Sequence, residues 1–420
     1  MDEHSIRSWE RYVAVEIIFS DRYGSIMNQF RWLTAGESHG KGLVTIVDGM
    51  PAGVAITEEL ITKDLLRRQG GYGRGKRQQI ETDNASILSG IRHGFSIGSP
   101  VSIQLQNKDH GNAGWETRMA TEAIAEPVDR VVTLRPGHAD LAGTQKYGFD
   151  DVRPILERSS ARETAARVAA GALARALLGA VGISVYSQTI SIGAIKLSAE
   201  LANTPDWIQV EQSPVRVTNK AIEQEMIEEI DRAKAELDTL GGIFEVRAQG
   251  VPFGLGSHVQ WDRKLDGRIG QAFLSINAVK AVEIGDGVAN AGRPGSLAQD
   301  LIKPWNQENP KLWDRASNKA GGLEAGMTNG QDVVVRGFIK PISTVPRTLP
   351  SANLDTGESE NSFYERSDVA VVPAAGVVGE AMLALVLADA LLEKFGGDNL
   401  AEISSNMSAF LQTVKPRATN

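Results

Sequence analysis

The sequence predicts an α+β fold built as one intertwined domain, and three observations carry that expectation. Short runs in which apolar and polar residues alternate recur along the chain, as half-buried strands require. Two long Ala, Leu and Val-rich stretches, at about 160–178 and 376–394, have helical length and enough apolar character to lie centrally. No Pro-rich or Ser-rich linker divides the chain. The triplet Glu-Arg-Ser precedes both long stretches, at 157–159 and 365–367. It is either a chance recurrence or the mark of two related α+β halves, each placing an Arg-Ser turn beside a central helix.

Taken in order, residues 30–47 alternate like a strand, break at Gly36-Glu37-Ser38-His39-Gly40, and resume as a second strand at 43–47. Thr57 then precedes Glu58 and Glu59 and an apolar stripe of Leu60, Ile61, Leu65 and Leu66. Gly70-Gly71 closes this segment as a capped helix whose last turn carries Arg67 and Arg68. Strands are expected at 85–88 and 101–105, followed by looser sequence to about 156. Ser160-Ala161-Arg162-Glu163 has capping-box spacing and opens the first long helix. A helix at about 220–237, stopped by Gly241-Gly242, leads into a strand at 243–248. A glycine-rich stretch at 321–330, a strand at 333–338 and the last long helix, ended by Gly396-Gly397, complete the reading.

Composition narrows the function. The 420 residues carry a formal charge of -8, so attraction to an anion must come from local clusters of Arg and Lys. There is no cysteine, which excludes disulfides, thiolate nucleophiles and thiolate metal sites, and fits a cytoplasmic protein. Residues 1–26 lack the pattern of a signal peptide and are expected to lie outside the core, either as an extension or as the result of a misplaced start, with one domain over 27–420. The apolar segment at 374–392 contains Glu380 and Asp389, which favours a buried helix over a membrane span.

Five constellations can carry chemistry. Arg67, Arg68, Arg74, Lys76 and Arg77 surround Gly70-Gly71-Tyr72-Gly73-Arg74-Gly75, where glycines let several guanidinium forks converge on one compact anion. A solvated basic loop or an RNA-binding patch is the competing reading. A dinucleotide fingerprint is not, because a helix precedes the segment where a strand is required. Gly36-Glu37-Ser38-His39-Gly40 has the Gly-x-Ser-x-Gly spacing of a hydrolase elbow, which would make Ser38 a nucleophile; the elbow demands a helix after the serine, whereas a strand follows here. His39 in that turn, and His138 within Arg135-Pro136-Gly137-His138-Ala139-Asp140, are then the candidate acid–base groups. Lys340-Pro341-Ile342-Ser343-Thr344 offers a cation, hydroxyls and amides suited to a phosphate monoester, and Arg366-Ser367-Asp368 offers a carboxylate before the last helix. No His, Asp or Glu spacing resembles a metal site.

Together these motifs resemble the chorismate synthase family. They occur in the family's order, with Gly73-Arg74-Gly75-Lys76-Arg77-Gln78, Arg158-Ser159-Ser160-Ala161-Arg162-Glu163-Thr164-Ala165, Asp286-Gly287, Gly321-Gly322 and Asn329-Gly330 joining those above, over roughly residues 28–400. The resemblance implies a β-α-β sandwich with two pseudo-symmetric halves and central helices, usually a homotetramer. It implies a lyase of the shikimate pathway, feeding aromatic amino acid biosynthesis, that eliminates phosphate from 5-enolpyruvylshikimate 3-phosphate with reduced flavin mononucleotide (FMN). By resemblance His39 donates a proton to the departing phosphate, His138 protonates or holds the reduced flavin, and Asp368 assists flavin N5 in removing the substrate proton. Arg68, Arg74, Arg77 and Arg135 would bind substrate or NADP. Flavin contacts would come from Arg158, Ser159, Ser160, Asn277, Ala278, Ala325, Lys340, Pro341, Ile342, Ser343, Thr344 and Arg366. Whether NADPH or an outside reductase reduces the flavin is left open. No nucleic acid, membrane or metal is implied.

Overall fold

Two antiparallel sheets enclose a layer of helices in the computed structural model, which describes residues 29–75, 82–112, 114–124, 128–305, 313–365 and 368–414. The first sheet holds β1 (Arg31–Ala35), β2 (Gly42–Asp48), β3 (Ala85–Ser89) and β4 (Val101–Gln106) in the order β1-β2-β4-β3. Its pleat turns Leu43 and Val47 of β2 and Val101, Ile103 and Leu105 of β4 inward, all fully buried, while Leu33 and Ile46 face outward. That alternation is the period-two pattern seen in the sequence.

Between these strands lies α1 (Glu58–Gln69), whose first turn is capped by the Thr57 hydroxyl accepting from the Leu60 amide. Next come α2 (Asp140–Tyr147), α3 (Arg153–Ser159) and α4 (Thr164–Ala180). The second sheet collects β5 (Ser184–Ile192), β6 (Ile195–Lys196), β7 (Gly242–Gln249), β8 (Val279–Ile284) and β9 (Val333–Ile339) in the order β8-β9-β7-β5-β6. Flanking helices α5 (Lys220–Ala235) and α6 (Leu265–Leu274) precede α7 (Val372–Phe395) and the C-terminal α8 (Leu400–Thr413).

Helix α4 packs on the first sheet and α7 on the second, and the two helices pack on each other. Small residues permit this. A Cβ at Gly171 of α4 would lie 2.3 Å from Ala381 Cβ of α7, and one at Gly379 would lie 2.7 Å from the Phe244 ring of β7. Helix α7, with a mean hydropathy of 1.9 over 18 residues that are 94% buried, is a core helix of this sandwich. Its Glu380, wholly inaccessible, is held by Arg67 at 2.7 and 2.8 Å, Arg216 at 3.2 Å, Arg175 at 3.3 Å and the Ser187 hydroxyl at 2.7 Å. A buried charge is tolerated only when so compensated.

Several expectations need correction. The region before residue 156 is not loose throughout, since α2 and α3 form there. Helix α5 stops at Ala235, and α7 starts at Val372, four residues before the expected Gly376, because Pro373 is pre-set for a first helical turn. The Ser160 hydroxyl does cap, but it accepts from the Arg162 amide and opens a 3-10 turn at Ala161–Glu163; the Glu163 carboxylate serves Thr34 and Arg167 instead. Leu66, counted in the apolar stripe of α1, is exposed. The expected extension at 1–26 lies outside the described residues.

Candidate active site

The N-terminal ends of α4 and α7 open onto one cavity of ≈ 710 Å³. Each brings the positive end of a long helix dipole and unsatisfied backbone amides, a setting that favours anions. The rest of the wall comes from the 36–40 turn, the end of α1, the 135–139 loop, residues 276–278, residues 339–344, and Tyr364, Glu365 and Asp368.

His39 sits in the turn between β1 and β2. Asn107 shapes that turn, its side-chain amide donating to the Glu37 and Gly40 carbonyls at 2.9 and 2.8 Å. Glu157 of α3 accepts from the His39 backbone amide at 2.8 Å and contacts Nδ1 at 2.9 Å, while Trp115 stacks on the imidazole with centroids 3.8 Å apart. Burial alone would push the Glu157 carboxyl up, but the hydrogen bonds from His39 and the charge of Arg153 hold it below the usual range. With Nδ1 occupied, Nε2 is the ring atom left for proton transfer; Asp109 lies 3.8 Å from it.

His138 is held in a comparable way from the other side of the cavity. Asp140, the first residue of α2 and fully buried, takes a short contact from His138 Nδ1 and accepts from Arg135 Nε at 2.8 Å and from the Arg135 amide at 3.1 Å. Against the upward push of burial, these donors and the two neighbouring cations bring its carboxyl down to about 2.

The basic cluster divides. Arg68 reaches the cavity and shares Asp83 with Arg162, at 2.9 and 2.6 Å, so two guanidinium groups lean on one carboxylate and leave net positive charge. Burial pushes the Arg68 guanidinium down to about 10, with Asp83 opposing and the charges of Arg162 and Arg74 adding to it. Arg74 pairs with Asp368 at 3.1 Å, and the Gly75 amide donates to the same carboxylate at 2.5 Å. The Nε atoms of Arg68 and Arg74 are buried and have no hydrogen-bond partner among the described residues. Arg67, read from the sequence as part of this cluster, turns away to Glu380 and Glu211. Lys76, Arg77 and Arg366 lie outside the described residues.

Of the expected flavin contacts, Ser159, Ser160, Asn277, Ala278, Lys340, Ile342, Ser343 and Thr344 line the cavity. Asn277 donates to the Ser159 carbonyl at 2.9 Å, leaving its buried Oδ1 without a partner among the described residues. Ala278 takes a positive φ of 65° and its carbonyl accepts from the Lys340 amide, while Lys340 Nζ and the Ser343 hydroxyl both donate to the Gly137 carbonyl. Burial, with Lys280 nearby, pushes the Lys340 ammonium down. A polar, cationic wall with an unspent acceptor fits a phosphorylated heteroaromatic cofactor. Arg158, Ala325 and Pro341 are placed elsewhere: the Arg158 guanidinium donates to the Thr34 and Gly36 carbonyls, and Ala325 is exposed on a tight turn with φ of 51°. The Ser38 hydroxyl donates to Ser160, and strand β2 follows its turn, so the hydrolase elbow is not built. Among the described residues no group of three or more His, Asp or Glu could hold a metal ion.

Glu157, Asp140 and Asp83 set the site, yet the sequence alone assigns none of them a role in holding a histidine or an arginine. Their signal was available in part: Asp140 follows His138 by two residues and Glu157 stands in the Glu-Arg-Ser triplet. Trp115, 76 residues from His39, carries no local signal at all.

The sequence model of the family described as chorismate synthase matches residues 30–392. The chain is 51% identical over 399 residues to the chorismate synthase of Mycobacterium avium (strain 104), covering 92% of this chain and 97% of that one. It is also 51% identical over 389 residues to that of Desulforudis audaxviator (strain MP104C), covering 92% and 98%. A solved structure described as a crystal structure of chorismate synthase superposes with a TM-score of 0.74 at 41% identity, over 92% of this chain and 98% of the other.

Proposed function

The chain belongs to the chorismate synthase family of carbon–oxygen lyases, and from that premise we propose that it performs the anti-1,4-elimination of phosphate from 5-enolpyruvylshikimate 3-phosphate, giving chorismate, as the last step of the shikimate pathway. One observation carries this reading. In a protein of charge -8, Arg68, Arg74 and Arg135 converge with two helix N-termini on a cavity flanked by two carboxylate-held histidines. A substrate with two carboxylates and a phosphate needs such a concentration of donors, and a departing phosphate needs a proton.

Reduced FMN, when bound, would lend electron density as phosphate leaves and recover it afterwards, so that the reaction is redox-neutral overall. Asn277, Ala278, Lys340, Ile342, Ser343 and Thr344 would hold it, with Ser159 and Ser160 between α3 and α4. His39 donates from Nε2 to the leaving phosphate while Glu157 retains Nδ1. Arg74 fixes Asp368 at the cavity wall, where the carboxylate is assigned to assist the bound flavin in removing the substrate proton. His138, oriented by Asp140, is assigned to the flavin side of the cavity. NADPH is the candidate reductant. The absence of cysteine supports a cytoplasmic site of action. A homotetramer is the assembly proposed from the family likeness, and the outward-facing cross-strand pair Leu33 and Ile46 is an apolar spot on the first sheet that subunit contacts would cover.

The His138 assignment has a direct test: anaerobic spectra of dithionite-reduced FMN bound to the parent protein and to His138→Ala, both saturated, with and without substrate. The variant is expected to change the spectrum of the bound reduced flavin. Identical spectra would remove His138 from the flavin side.

A further inference from the structure

The carboxylates that hold the two histidines are joined to each other. Glu157, at Nδ1 of His39, also takes Arg153 Nη1 at 3.3 Å; the same nitrogen lies 3.4 Å from Glu365 Oε1; and Glu365 Oε2 lies 3.6 Å from Arg135 Nη1. Arg135 in turn grips Asp140, which holds His138, and Arg135 Nη2 itself lies 3.0 Å from His138 Nδ1. From end to end the order is His39, Glu157, Arg153, Glu365, Arg135, Asp140, His138, with a potential cation and an anion alternating at every position. Most of the chain is shielded: the side chains of Glu157 and Asp140 are inaccessible, that of Arg135 is 4% exposed, and the central Glu365 retains 31%. Arg153 also stands over the Trp115 ring, 5.2 Å from its centroid, and Trp115 stacks on His39, so this guanidinium touches the histidine's surroundings by two routes.

Building on the function proposed above, we infer that Arg153 and Glu365 are positioning residues that couple the two histidines electrostatically. Neither contacts a histidine itself. Glu365 is the link on which the coupling depends, because it is the described group that contacts both the Glu157 arm and the Asp140 arm. Its negative charge draws Arg153 and Arg135 partly off the two inner carboxylates, leaving those carboxylates free to favour the cationic form of each imidazole. Removing that charge lets each arginine neutralise its inner carboxylate more fully, and so disfavours both imidazolium ions together. The coupling also spans the two structural halves, since Arg153 belongs to α3 beside α4 whereas Glu365 leads toward α7. The other polar groups facing the histidines are Asp109 and His110 around His39, the latter through the His39 carbonyl, and Lys340 and Ser343 beyond Gly137 beside His138. None of them bridges the two arms.

The test is a titration of both histidines by NMR in full-length protein labelled at imidazole Cε1, with resonances assigned from His39→Asn and His138→Asn. In Glu365→Gln both midpoints are expected to fall, each by at least about 0.3 pH unit, as loss of a charge a few ångströms from each arm requires. Glu365→Asp should restore part of both shifts. Arg153→Gln should do the opposite at one end, raising the midpoint of His39. A Glu365→Gln protein in which either histidine keeps its midpoint, or an Arg153→Gln protein in which His39 falls, would overturn the coupling. Anaerobic turnover on the same samples reports on the reaction separately: coupled shifts in a protein without turnover would uphold the network and reject the function proposed above.

Discussion

At the scale of single residues, the chemistry rests on side chains whose partners leave one productive atom free. Glu157 occupies His39 Nδ1 and leaves Nε2; Asp140 occupies His138 Nδ1. The carboxylates bear the electrostatic cost, which makes them sensitive to acid. Asp140, at about 2 against an ordinary 3.8, is depressed in the folded state. Its contribution is therefore complete above about pH 4 and is lost as pH falls through 2. The shift corresponds to about 2 kcal/mol, of which roughly half is gone by pH 3. Asp140→Asn should be less stable than the parent by about 3 kcal/mol at pH 7, since it leaves Arg135 without its buried partner. Urea unfolding from pH 7 to pH 3 should show that difference narrowing as the parent loses its carboxylate. A constant difference across the range would mean that Asp140 acts by shape alone. Adjacent arginines show where sequence reading stops. Arg67 and Arg68 look equivalent on paper, but a helix turns about 100° per residue, which sends one to Glu380 in the core and the other to the cavity.

At the scale of elements, legibility followed the source of each element's stability. Strands β2, β4, β7 and β9 and helices α1, α4 and α7 bury one face or a whole surface, and that burial is written as apolar periodicity. Helices α2 and α3, of eight and seven residues, were not legible. Asp140 and Glu157 on them spend their side chains on the nearby Arg135, His138 and Arg153 and on the distant His39, polar contacts that a periodicity count does not see. The cavity was legible as a list of residue types but not as an enclosure, because the two helix N-termini that frame it lie some two hundred residues apart in sequence. The α4 and α7 contact itself makes a sharp prediction. Gly171→Val places a branched side chain where Ala381 already stands, and overpacking of this kind costs about 1–3 kcal/mol. Thermal unfolding should show the loss, and Ala381→Gly in the same protein should recover part of it. If the two substitutions were simply additive, the helices would not be packed through this pair.

At the scale of the whole molecule, an acidic chain has gathered a cluster of arginines at one end of a helix layer, beside the mouths of two helix dipoles. The family match begins at residue 30, after the segment 1–26. Removing residues 1–26 is expected to leave folding and turnover unchanged, as circular dichroism and steady-state assay would show. Loss of folded protein on that deletion would make the segment part of the domain. The claim that unites the three scales is that this cavity expels phosphate from an enolpyruvyl shikimate ester and depends on reduced flavin to do so. The measurement is an anaerobic assay of the purified protein with 5-enolpyruvylshikimate 3-phosphate and dithionite-reduced FMN, following chorismate by absorbance and inorganic phosphate in parallel. The account predicts one phosphate per chorismate, none of either with oxidised FMN, and a fall of roughly 10²- to 10⁴-fold in kcat for His39→Ala, the range typical of a lost general acid. Phosphate release without chorismate, or undiminished turnover with oxidised FMN or with His39→Ala, would contradict it.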